Sequence, residues 1–164
     1  MMDKVTLDRI QLLHPKLRDE ALVIYTECCE QLKGKALCRF SHTLRTFAEQ
    51  DALFNTKPQV TKAKGGQSYH NYGLAIDIVL IIDKDGNGSH EAASWDVMTD
   101  FDGDGRSDWR EVVSIFKRYG WEWGGDWKFY DAPHFQKTLG YSIADLQGLH
   151  AKHIANKQTG YLNL

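Results

Sequence analysis

SYHNYGLAIDIVLII, residues 68–82, passes from a polar and aromatic start around a glycine into an aliphatic run. Such a run predicts a strand over 73–82, buried on both faces or nearly so. One carboxylate, Asp77, interrupts it. An unpaired carboxylate in that setting costs several kcal/mol or is forced to protonate, so Asp77 needs a partner. His70, seven residues earlier, is the first candidate.

Outward from this strand the chain reads as one domain, 1–164. Thr6 is placed to cap a short first helix that His14-Pro15 breaks. Pro15 suits the first turn of a longer helix with Leu17, Ala21, Leu22, Tyr25 and Cys29 on one stripe, stopped by Gly34. ALCRF (36–40) alternates like a strand, and Thr46 and Glu49 stand at capping-box spacing for a helix over 47–54. Residues 55–67 read as a surface loop. A Gly- and Asp-rich insertion at 83–111 runs into a helix over 109–119, ended by Gly120. WEWGGDW (121–127) and PHFQ (133–136) suit short strands, and Ser142 is placed to cap a last helix over 143–156. Helices mixed with short strands predict an α+β fold with a small antiparallel sheet.

Composition excludes several classes. With 42% hydrophobic and 26% charged residues the 164-residue chain can bury a core and is not disordered. A net charge of −2 gives no basic field for nucleic acid or anionic membrane. No apolar stretch approaches the ~20 residues of a membrane span. The N-terminus has no uninterrupted apolar segment of the kind that marks a signal peptide, so synthesis in the cytoplasm is expected. Cys28, Cys29 and Cys38 form no metal or redox spacing and read as free thiols.

Ser68-x-His70-x-x-Gly73-x-Ala75-x-Asp77 can place an imidazole and a carboxylate on one ion: Gly73 permits a tight turn, and small Ala75 shares the face of Asp77. Catalytic zinc takes three N or O ligands and leaves one position open. The third ligand should come from another strand, and His134 in DAPHF is the best candidate. Asp131, three residues before it, can sit beside the ion without ligating and accept a proton from an activated water. Taken singly, each histidine also reads as a satisfied core or surface residue, and Asp131 as a turn residue.

These segments, SYHNYGLAID (68–77), EWGGDW (122–127) and DAPHF (131–135), resemble the D-alanyl-D-alanine carboxypeptidase superfamily of zinc peptidases. They are most similar to its L-alanyl-D-glutamate endopeptidase branch, which includes phage endolysins and bacterial wall hydrolases. The resemblance runs over about 36–140. It implies a hedgehog-like fold, His70, Asp77 and His134 as zinc ligands, and Asp131 as general base. Aspartate at 131, where D-Ala-D-Ala-cleaving branches tend to have glutamate, favours the endopeptidase branch. Arg45, in LRTFAEQ, matches the family's arginine that faces the active site, where a guanidinium can stabilise an oxyanion. A helix-start arginine in a surface salt bridge is the alternative. Gln50 and Ser68 are candidates for supporting roles, and Tyr72 and Trp127 for cleft walls or core packing.

The implied function is hydrolysis of peptidoglycan stem peptides by a monomeric zinc enzyme released to the wall as endolysins are. Alternatives are a D-Ala-D-Ala carboxypeptidase or dipeptidase, and a non-catalytic zinc-binding interaction domain.

DFDGDGRSDWRE (100–111) also fits a twelve-residue calcium loop. Asp100, Asp102, Asp104, the Arg106 carbonyl, Asp108 and Glu111 fall at the ligand positions, with Gly105 at the turn. Ser107 stands where an aliphatic normally pairs two such loops, so a paired hand is not expected. Residues 83–111 hold nine acids against three basic side chains. Either Ca²⁺ offsets that crowding, or this is a solvated turn in which Asp108 caps the next helix. DKDGNGSHE, from Asp83, is only half a loop.

Overall fold

The computed structural model describes residues 2–164. In chain order the elements are α1 (Lys4–Ile10), α2 (Pro15–Gln31), β1 (Ala36–His42), α3 (Phe47–Asn55), β2 (Ala75–Ile82), β3 (Ala92–Ser94), α4 (Asp108–Arg118), β4 (Glu122–Trp123), β5 (His134–Gln136) and α5 (Ile143–Ala151). Helices beside one small antiparallel sheet make the fold α+β, as expected.

β2 is the axis of that sheet. Along one edge it pairs β1, from Ala36 opposite Ile82 to His42 opposite Asp77. The register shifts between Phe40 and His42, and there Ser41 Oγ donates to the Asp77 carbonyl at 3.1 Å. A bulge bends its strand and often lies next to a functional site; this one lies level with Asp77. The other edge of β2 is shared: Leu80–Ile82 pair β3, and Ala75–Asp77 pair β5, which continues to β4. Asp77 lies directly opposite His134, the arrangement in which cross-strand side chains touch.

The core between the sheet and α2 and α4 is mostly aliphatic and holds an aromatic cluster. Phe116 of α4 stacks on Phe135 of β5 with centroids 4.1 Å apart, and also packs against Phe40 and Trp121. Because Phe135 follows His134, this packing fixes the strand that carries the histidine. Cys28 and Cys38 are buried and all three thiols are free.

Several local expectations are corrected. Asp3, not Thr6, caps α1: its carboxylate accepts from both the amide and the hydroxyl of Thr6. On α2 the buried stripe is Leu17, Ala21, Ile24, Tyr25 and Cys28, with Leu22 exposed, because the helix is apolar around much of its circumference and periodicity alone leaves its rotation loose. Ser107, not Asp108, caps α4, accepting from Arg110 N at 3.3 Å. The last helix ends at Ala151; beyond it His153 takes a positive φ, and the chain folds back so that Ala155 bridges to Leu162. His14-Pro15 and the Thr46/Glu49 capping box behave as expected.

Gly73 ties the first helices to the site. It follows a 3₁₀ turn, Tyr69–Tyr72, at φ +69°, and its carbonyl accepts from His14 N at 2.9 Å. A Cβ there would lie 2.6 Å from that same backbone nitrogen, so glycine is required by both conformation and space.

Candidate metal centre

Three side chains from two strands and the 3₁₀ turn converge beside the bulge. His70 Nε2 and His134 Nδ1 each lie 3.1 Å from Asp77 Oδ1, and 3.3 Å from each other. Ligands at 2.0–2.1 Å in a tetrahedron are separated by about 3.3 Å, so this triangle has the dimensions of one face of a zinc site.

The outer hydrogen bonds determine which atoms face inward. Thr43 O can only accept, so His70 Nδ1, 2.7 Å away, carries the hydrogen and Nε2 presents a lone pair. For His134 the outer bonding runs through two further residues. Gln136 Nε2 donates to Glu122 Oε2 at 3.0 Å, which turns Gln136 Oε1 toward His134 Nε2, also at 3.0 Å. His134 Nε2 therefore carries the hydrogen, leaving Nδ1 as an inward lone pair. Two lone pairs and a carboxylate oxygen in mutual contact are repulsive unless a positive species lies among them. Although burial alone lowers the pKa of His134, the hydrogen bond and charge of Asp77 raise it above the ordinary value. Burial alone would raise Asp77, but the two histidines hold it far below the usual carboxylate range. The donor set fits zinc.

Glu122–Gln136–His134 was not read from the sequence. The signal was present, since residues two apart on a strand share a face. Supporting bonds of this kind are worth about 10–100-fold in metal affinity. Replacing Gln136 by leucine is expected to weaken zinc binding by roughly that factor while the fold persists. Competition with a chromophoric chelator would measure it, and unchanged affinity would contradict the orienting role.

A cleft of about 320 Å³ opens over the triad and brings together Arg45, Gln50, Ser68 and Asp131. His42, Leu53, Val60 and Thr61 complete its lining, none of them singled out in the sequence. Arg45 approaches Asp77 Oδ2 at 3.4 Å and donates to Gln50 Oε1 at 2.9 Å. Gln50, buried on α3, donates in turn to Ala63 O at 2.9 Å. Arg45 is thus a clamped guanidinium at the site rather than a surface ion-pair partner. Ser68 caps the 3₁₀ turn, accepting from His70 N at 3.3 Å.

Asp131 is positioned by backbone. Its amide donates to Gly124 O at 3.0 Å, and its carbonyl accepts from His134 N at 3.2 Å. A Cβ on Gly124 would lie 2.4 Å from Asp131 O, so EWGGDW contributes a close backbone approach that only glycine permits. Burial raises the Asp131 pKa; the charge of Asp77 adds to this and the neighbouring histidines oppose it. Trp127 packs on the His134 ring at 5.2 Å. Tyr72 is buried away from the cleft and donates to Gly66 O at 2.8 Å, which makes it a core residue.

Comparison with known proteins finds related sequences. Residues 61–137 match a family model described as D-alanyl-D-alanine carboxypeptidase. The chain is 52% identical over 98 residues to the peptidoglycan L-alanyl-D-glutamate endopeptidase CwlK of Bacillus subtilis (strain 168). That match covers 56% of this chain and 55% of the relative, so the chain spans about half the length of the curated relative it matches. The stretch matched by the D-alanyl-D-alanine carboxypeptidase model carries His70, Asp77, Asp131 and His134.

Proposed function

We propose that this protein is a zinc-dependent peptidase that hydrolyses peptidoglycan stem peptides at the L-alanyl-D-glutamate bond. The observation that carries the reading is the inward-facing triad of His70, Asp77 and His134, with Arg45 and Asp131 in the same cleft. Similarity to an enzyme named for that bond supports the choice of substrate.

His70, Asp77 and His134 would hold the zinc ion. When bound, zinc supplies Lewis acidity and lowers the pKa of water from ~15.7 to about 7. The chain's own groups do the rest. Asp131, with its pKa raised by burial, accepts the proton of the attacking water and returns it to the leaving amine. Arg45 keeps a permanent positive charge beside the position where the scissile carbonyl becomes negative. Gln50 and the Ala63 carbonyl hold that guanidinium in place, so it need not reorganise as charge develops. Leu53, Val60 and Thr61 flank the cleft where a peptide would lie.

Among the described residues no helix is long and apolar enough to cross a membrane. Action on the wall after release from the cytoplasm, as a monomer, completes the proposal.

Purified peptidoglycan treated with zinc-loaded protein is expected to lose turbidity and release fragments cut between L-alanine and D-glutamate. Mass spectrometry of those fragments is the test. Release of terminal D-alanine alone would make the protein a carboxypeptidase. No release by zinc-bound protein would sink the enzyme reading in favour of a binding domain.

A further inference from the structure

The loop 100–111 contains buried carboxylate oxygens that the protein does not satisfy. Asp108 is 0% exposed and Glu111 6% exposed, and the Asp102 side chain is 2% exposed. Each uses one oxygen internally. Asp108 Oδ2 accepts from Phe101 N at 2.5 Å, Glu111 Oε1 from Gln31 Nε2 at 2.7 Å, and Asp102 Oδ1 from Asp104 N at 3.0 Å. The other oxygens, Asp108 Oδ1, Glu111 Oε2 and Asp102 Oδ2, are buried without a hydrogen-bond partner. Lys33 Nζ comes within 3.1 Å of Asp102 Oδ2 without the alignment of a hydrogen bond, and donates to Asp104 Oδ2 instead. One half-exposed lysine does not neutralise the five carboxylates of this loop.

These groups fall into two overlapping sets. Asp102, Asp108 and Glu111 offer ligand atoms within 4.8 Å of one another, and so do Asp100, Asp102 and Asp104. Asp102 belongs to both sets. Oxygens on opposite sides of a Ca²⁺ ion at 2.3–2.6 Å are at most about 5 Å apart, so each triad has a spacing that one ion can span. Gly105, at φ +92°, makes the sharp turn, and its amide donates to Asp100 Oδ2 at 2.8 Å. Five carboxylates crowd this loop, so without a cation their like charges repel one another. The related sequence at Asp83 differs. Its acids are half-buried or exposed, and none has a buried carboxylate oxygen without a hydrogen-bond partner, so it has no comparable need for an ion.

We propose that Asp100, Asp102, Asp104, the Arg106 carbonyl, Asp108 and Glu111 bind one structural Ca²⁺ ion, separate from the His70–Asp77–His134 centre. Its oxygen-only, carboxylate-rich donor set suits a hard cation. Two of the ligands lie on the first turn of α4, whose Phe116 stacks on Phe135 beside His134, so the ion would anchor the helix that backs the peptidase site.

The test is thermal unfolding of the zinc-loaded protein with and without calcium, alongside Glu111→Gln and Asp102→Asn. Calcium at about 100-fold over its Kd should raise the wild-type Tm by roughly 5–10 °C. Both variants should lose that shift, while their calcium-free forms melt no lower than calcium-free wild type, because each removes a stressed charge. No wild-type shift at millimolar calcium would overturn the proposal. A shift that both variants retain would place the ion elsewhere and overturn the assignment. An equal shift with magnesium would overturn the choice of ion.

Discussion

Replacing Asp131 by asparagine is expected to lower peptidoglycan hydrolysis by about 10²–10⁴-fold, the usual worth of a positioned general acid–base group. Asparagine keeps the shape but cannot take the water's proton. Zinc binding should survive, because the contacts that fix residue 131 are made by its backbone with Gly124 and His134. Turnover and zinc stoichiometry must therefore be measured on the same preparation. Full activity in the variant would remove Asp131 from the mechanism. Loss of zinc together with activity would make Asp131 a ligand, contrary to the geometric triad.

A second large effect is expected at Asp77. Asp77→Asn keeps the strand position opposite His134 but removes the only negative charge of the triad. It also leaves the Arg45 guanidinium beside a neutral amide. Zinc affinity should fall by more than the 10–100-fold that a supporting residue is worth, and hydrolysis should fall to background. The fold should persist, because an amide is cheaper than a carboxylate to leave buried without its metal. Circular dichroism with metal analysis reads both outcomes, and a variant that retained stoichiometric zinc at wild-type affinity would contradict the ligand role.

Much of this site was legible because its parts are local. The apolar run around Asp77 marked a buried strand, and β2 carries that residue as a partly exposed break in a sequence otherwise buried up to its last residue, Ile82. His70 lies on a turn whose cap and terminal glycine stand within the same short stretch. What the sequence left open depends on tertiary approach. Arg45 reads equally as a surface residue until Gln50 and Ala63 are brought around it. Thr43 contributes only a backbone carbonyl, which any residue possesses. Asp108 reads as a helix cap by residue type, but it is fully buried and bonded to Phe101, and Ser107 takes the cap. Tyr72, in the midst of the motif, faces Gly66 and Phe47 instead of the cleft, a direction that its neighbours in sequence do not specify.

The central claim is that the His70–Asp77–His134 triad holds the zinc on which peptide hydrolysis depends. Titrating metal-free protein with zinc while following fragment release from purified peptidoglycan tests it most directly. Hydrolysis is predicted to be absent without metal, to rise in proportion to added zinc, and to level off at one equivalent. Undiminished hydrolysis by the metal-free protein would contradict the account.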